Sequence, residues 1–202
     1  MLKLRYSTTS PYVRKVSVVA IEIGMKDRIE YVATSVADPH SGLAKDNPLN
    51  KIPALILEDG QSLLDSRVIC EYLDTLYGGS RFHPPSGEKR WWALKKQALG
   101  DGVLDAAVLR VMETRRPENL RSSDWDKRQS LKITQSLATF EDAAARGHLA
   151  DWDIGSLTLV SALDYLDFRF PNEKWRDRSP ALAKWHRAIG DRPALKETLP
   201  RD

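Results

Sequence analysis

Three short stretches of the chain combine polar side chains with helix-punctuating residues in a way that could serve chemistry. Ser10 stands directly before Pro11, a residue suited to the first position of a helix, which places Ser10 at the N-cap. A hydroxyl at a helix N-terminus can also steady an anion, because the dipole and the unpaired amides already favour negative charge there. Thr9 and Ser7 are competing hydroxyls close by. Asp65-Ser66 repeats the theme at the start of another apolar-periodic run, where Asp is a strong cap. Ile52-Pro53 reads on its own as an extended dipeptide. Other reactive side chains are scattered. His40, His83, His148 and His186 share no metal-ligand spacing with one another or with Cys70, so no metal is expected. Cys70 lies beside Ile69 on a helical run, a setting that favours a small buried residue over a reactive thiol. Gly78-Gly79 and Gly100-Asp101-Gly102 lack the strand-to-helix context of a phosphate loop.

Periodicity supplies the elements that must hold these residues. Leu2 to Tyr6 alternates like a strand, and Val13, Val16, Val19, Ala20 and Ile23 keep helical spacing until Gly24. A second strand is expected over Ile29 to Val32, then a loop over 35–52 with room for one short helix. Ala54 to Leu57, Asp59-Gly60 and Ser62 to Leu64 read as a hairpin, since Asp-Gly supplies the positive φ of a tight turn. A helix over 65–76 closes this half. Breakers cluster from Gly78 through Pro84-Pro85-Ser86-Gly87, and beyond them the spacing predicts helices over 88–114, 124–146, 154–169 and 180–190. Gly100 and Gly102 interrupt the first of these, which predicts a kink or a close contact. The expected organisation is an α/β domain over 1–78, a linker over 79–87 and an all-helical domain over 88–202.

Composition narrows the function classes. The chain of 202 residues is 42% hydrophobic and 29% charged, ordinary for a soluble globular protein. Its net charge of +3 is too small to argue for a nucleic-acid partner. The single cysteine excludes an intramolecular disulfide, and no apolar run approaches a membrane span. Arg14 and Lys15 interrupt any signal peptide, so a soluble, cytoplasmic protein without membrane attachment is expected.

The order strand, helix, strand, loop, hairpin, helix, followed by a helical half, resembles the cytosolic glutathione transferases over essentially the whole chain. Four landmarks carry the resemblance: Ser10-Pro11-Tyr12-Val13-Arg14, Asn47-Pro48-Leu49-Asn50-Lys51-Ile52-Pro53, Asp65-Ser66 and Asp153-Ile154-Gly155-Ser156. Asp101-Gly102-Val103-Leu104-Asp105-Ala106 and Tyr165-Leu166-Asp167-Phe168-Arg169 are similar to a bacterial branch that uses Ser. The resemblance implies a thioredoxin-like first domain and a homodimer. It also implies a transferase that joins reduced glutathione, as co-substrate and not cofactor, to a small electrophile, as in detoxification. Ser10 would donate its hydroxyl to the glutathione sulfur, with Thr9 and Ser7 as the alternatives. A cis bond at Ile52-Pro53 would let the Ile52 backbone hold the cysteinyl part. Asp65 would face the γ-glutamyl ammonium, although the family usually has the longer Glu there, and Ser66 would hold the carboxylate. Asp153 and Ser156 reverse the family's usual cap polarity; Asp153 would cap and Ser156 reach back. A non-catalytic binding protein of the same fold is the alternative function.

The magnitudes permit a lone hydroxyl. A thiol of pKa about 8.5 is roughly 3% ionised at pH 7, and a depression of about two units raises that to about three quarters. Such a shift corresponds to about 2.7 kcal/mol. One hydrogen bond to a charged group supplies roughly 1.5–3 kcal/mol, and a helix end adds up to about 1 kcal/mol.

Overall fold

The alternation at the start of the chain becomes the strand on which the first half is built. In the computed structural model, which describes residues 1–76, 78 and 81–202, β1 (Leu2–Tyr6) buries Leu2 and Leu4 on one face. It pairs in parallel with β2 (Ile29–Ala33) and antiparallel with β3 (Ala54–Ile56). β3 pairs antiparallel with β4 (Ser62–Leu64), so the sheet order is β2-β1-β3-β4. The crossover between the parallel strands is α1 (Pro11–Glu22), and Ser10 caps it as expected, accepting a hydrogen bond from the Val13 amide. A short helix, α2 (Leu43–Asp46), interrupts the long loop. In the β3–β4 hairpin only Gly60 takes positive φ, +85°, while the Leu57 amide donates to the Gln61 carbonyl at 2.8 Å. α3 (Ser66–Leu76) packs beside α1. Leu4, Val16, Val19, Ala20, Leu55, Ile69 and Leu73 are fully buried in this half.

The second half is helical: α4 (Gly87–Thr114), α5 (Ser123–Ala145), α6 (Ile154–Arg169), α7 (Trp175–Arg178), α8 (Pro180–Ile189) and α9 (Pro193–Glu197). The boundary expected at Gly78-Gly79 falls partly outside the described residues, because Gly79 is not among them. The two compact units are Met1–Pro85 with Arg192–Asp202, and Ser86–Asp191. The range 88–202 expected for one helical domain is therefore divided. Residues 192–202 group with the first unit, for the side-chain and backbone contacts described below.

α6 is buried almost all round, and the hydroxyls of its buried Thr158 and Ser161 are satisfied within the helix. The Thr158 hydroxyl donates to the Ile154 carbonyl (2.7 Å) and the Ser161 hydroxyl to the Leu157 carbonyl (3.0 Å). Asp153 caps the helix by accepting the Ser156 amide at 3.0 Å and pairs with Lys96 at 2.8 Å. The Ser156 hydroxyl does reach back, but to the Asp151 carbonyl (2.6 Å).

Small residues set the approach of α4 to α6. A Cβ added at Gly100 would stand 2.9 Å from Thr158 Cγ2, so Gly100 marks a close contact. One added at Gly155 would stand 2.5 Å from the Ala93 carbonyl oxygen and 2.4 Å from Lys96 Cβ. Gly102 meets nothing within 4 Å, and no packing explains it. Gly155→Ala is therefore expected to cost about 1–3 kcal/mol, since backbone must move to admit the methyl. Gly102→Ala should gain about 0.5–1 kcal/mol through helix propensity alone. Urea midpoints for the two variants check both, and a neutral Gly155→Ala would contradict the close approach.

Candidate functional site

Strand register brings the expected site residues to one end of the sheet. Arg5 pairs with Ala54, and Ala54 pairs with Leu64. One step further, the chain leaves β1 toward Ser10, enters β3 from Pro53 and leaves β4 into Asp65 and Ser66. The three landmarks, Ser10, Pro53 and Asp65, separated by 43 and 12 positions in sequence, thus come from neighbouring strand ends.

The Ser10 Oγ accepts the Val13 amide at 3.3 Å, and its carbonyl accepts the Arg14 amide at 3.1 Å. A hydroxyl carries two acceptor lone pairs and one proton, so capping leaves the proton free to donate. Ser7 and Thr9 are turned to each other, with their hydroxyl oxygens 3.2 Å apart.

The Ile52-Pro53 peptide bond is cis. Its approach is held by Asn47, a residue whose role sequence inspection missed. Asn47 is 2% exposed; its side-chain amide donates to the Lys51 carbonyl (2.7 Å) and its side-chain oxygen accepts the Leu49 amide (2.9 Å). Asn50 takes φ +52° and donates from its side chain to the Val36 carbonyl at 3.1 Å. Arg5 fastens the start of this loop, donating from Nε to Asp46 at 2.7 Å and from a guanidinium nitrogen to the Ser41 carbonyl at 3.2 Å. Asn followed by Pro was the available signal, but it marks a turn without saying which carbonyl the amide will brace.

Asp65 has φ +68°, a left-handed conformation that Asp tolerates better than most residues. Its carboxylate accepts the Arg67 amide at 2.9 Å and the Arg67 guanidinium at 3.2 Å. Burial would push this carboxyl up, but the Arg67 amide and guanidinium outweigh it and hold the group below the usual carboxylate range. Ser66 is buried and opens α3, where first-turn amides lack intrahelical acceptors.

A cavity of about 210 Å³ touches Ser10, but it extends along α1 to Tyr31 and Lys26 and is also lined by Glu197, Thr198, Leu199 and Arg201. Ile52, Pro53, Asp65 and Ser66 do not line it. Among the described residues, no group of three or more His, Cys, Asp or Glu side chains is placed to hold a metal ion, and no helix is long and apolar enough to cross a membrane. Cys70 is buried.

Comparison with known proteins adds to this geometry. A model of the glutathione S-transferase N-terminal domain matches residues 9–76, and one of the C-terminal domain matches residues 125–188. The uncharacterized GST-like protein YibF of Escherichia coli K12 is 31% identical over 201 residues, 98% of each chain. A glutathione transferase family member from Pseudomonas fluorescens Pf-5, crystallised with bound glutathione, is 41% identical with a TM-score of 0.94, covering 100% of both chains. A second crystal structure from that organism, with bound S-(propanoic acid)-glutathione, aligns at 39% identity and a TM-score of 0.90, again over 100% of both chains.

The lowered Asp65 carboxyl has a consequence for stability. A carboxyl held below its ordinary value favours the folded state above that value, and the contribution is lost as pH falls through the folded pKa. Asn also tolerates the left-handed turn and caps well, so Asp65→Asn removes charge while keeping shape. The variant is expected to be less stable than the parent at neutral pH and to converge on it as pH falls below the ordinary carboxylate range. Urea midpoints across that range check it; a pH-independent gap would assign the effect to geometry instead.

Proposed function

The chain belongs to the glutathione S-transferase family, and from that membership we propose that it binds reduced glutathione at the strand ends bearing Ser10, Pro53 and Asp65-Ser66 and joins its sulfur to a small electrophile. One observation carries the assignment of the thiolate donor. The Ser10 oxygen caps α1 as an acceptor while its proton is available, whereas Ser7 and Thr9 share one hydrogen bond that uses the proton of one of them, and neither is the cap of α1. The glutathione sulfur would therefore meet a hydroxyl donor and a helix N-terminus together, the two contributions that lower a thiol pKa by about two units. The thiol proton leaves to solvent and a carbon–sulfur bond forms; in a substitution the electrophile's leaving group departs with its bonding pair, and in an addition the displaced pair stays on the adduct and takes a proton from solvent. No metal or nucleotide enters.

The remaining residues would bind and orient. The Ile52 backbone, turned at Pro53, would pair with the cysteinyl segment. Ser66 would receive the γ-glutamyl carboxylate on its amide and hydroxyl, at a helix start that suits an anion. Asp65 would attract the γ-glutamyl ammonium; a carboxylate has about four acceptor sites, so its contacts with Arg67 leave room for a second cation. The Pseudomonas fluorescens structures, holding glutathione in one case and an S-substituted glutathione in the other, support a site that accommodates both substrate and conjugate.

Ser10→Ala tests the proposal. Loss of the cap should cost about 0.5–2 kcal/mol and leave the protein folded. Retention on a glutathione matrix should persist, because the backbone and γ-glutamyl contacts lie elsewhere. The bound thiol, followed by thiolate ultraviolet absorbance, should titrate nearer its free value, and turnover lost at neutral pH should recover as pH approaches about 9. A variant that titrates like its parent would return the role to Thr9 or Ser7. A parent that is retained on the matrix yet turns over no electrophile would be a binding protein.

We further propose a homodimer, the commonest closed assembly and the one the family resemblance implies. Light scattering at micromolar concentration should report about twice the chain mass of 22.8 kDa; the single-chain mass would refute it.

A further inference from the structure

The C-terminal segment starts beside the end of α1 and finishes against the loop before its N-terminus. Arg192 approaches Glu22 at 3.5 Å, and Glu197 pairs with Lys26. The Arg14 guanidinium donates to the Leu195 carbonyl at 3.2 Å and to the Thr198 hydroxyl at 3.4 Å. Last, the Arg201 amide donates to the Thr8 carbonyl at 3.4 Å. The Lys26–Glu197 pair is half-exposed and counts for little. Arg14 is different, being only 4% exposed. A guanidinium at that depth needs acceptors, and the segment supplies two of them. Arg14 also lies one helical turn beyond Ser10 and donates its amide to the Ser10 carbonyl.

We infer that residues 193–201 form a positioning strap for Ser10, with Arg14 as its buried anchor and the Thr8 carbonyl as its far attachment. The inference rests on Ser10 being the thiolate donor. Two points bracket that residue, one two positions before it and one four positions after. Hydrogen bonds to a thiolate weaken steeply with misalignment, so the strap governs how far the sulfur is acidified without touching it. Arg14 is a positioning residue in this scheme.

The test is the titration of bound glutathione in parent, Ser10→Ala, Arg14→Met, Arg201→Pro and Arg201→Ala. Pro at 201 removes the amide donor to Thr8, whereas Ala keeps it. Arg14→Met and Arg201→Pro are expected to titrate between the parent and Ser10→Ala. Their turnover at neutral pH should fall about two- to tenfold and recover at high pH, while Arg201→Ala matches the parent. A parent-like titration of Arg14→Met, or of Arg201→Pro if Arg14→Met does not fold, overturns the strap provided that Ser10→Ala itself shifts. A parent-like Ser10→Ala overturns the Ser10 assignment and the strap with it. A loss of turnover that stays constant with pH also overturns the strap, because it reports damage other than a misplaced hydroxyl.

Discussion

Because Arg5 pairs with Ala54 and Ala54 with Leu64, the end of β1, the start of β3 and the end of β4 lie at one level, and every group proposed to hold glutathione hangs from that level. The constraint is strict. Side chains alternate with period two, so a one-residue slip of β3 would turn buried Ala54 and Leu55 the wrong way and carry Pro53 out of line with Asp65. Burial of the strands therefore does two things at once: it forms the core, and it fixes where the site lies.

Around that level, backbone amides and carbonyls do most of the positioning, and side chains act as braces. Asn47 holds the Lys51 carbonyl, Asp65 holds the Arg67 amide, and Ser10 holds the Val13 amide. Each is a short polar side chain acting locally, so each pins its own loop with little loss of side-chain entropy. The second unit uses the same device at α6, where Asp153 and Ser156 close the helix start and Lys96 neutralises the cap.

Sequence alone made the local parts legible. Ser10 before Pro11, the Asp-Gly hairpin and the long helices follow from neighbouring residues, and the elements expected from them start and stop within a residue or two of expectation, while the short α7 and α9 were not expected. The left-handed turn at Asp65 was not visible, since Asp is an ordinary cap and nothing in its neighbours gives the sign of φ. Nor was the membership of residues 192–202 in the first unit. Pro193–Glu197 is too short for periodicity to register, and Arg14 binds a main-chain carbonyl 181 positions away, an acceptor every residue possesses. Gly155 and Gly102 look alike in sequence, yet only Gly155 sits where another backbone passes.

The first unit is discontinuous in the chain, and synthesis runs in one direction. Its strands and α1 leave the ribosome first, then residues 86–191 intervene, and only afterwards does the stretch that accepts the Arg14 guanidinium emerge. At about 5–20 residues per second, that interval lasts roughly 5–20 s. Throughout it α1 carries the Arg14 charge without the Leu195 and Thr198 acceptors, while residues 86–191 of the second unit have already been made. The acceptors that Arg14 meets in the folded unit thus arrive late, after the whole of residues 86–191.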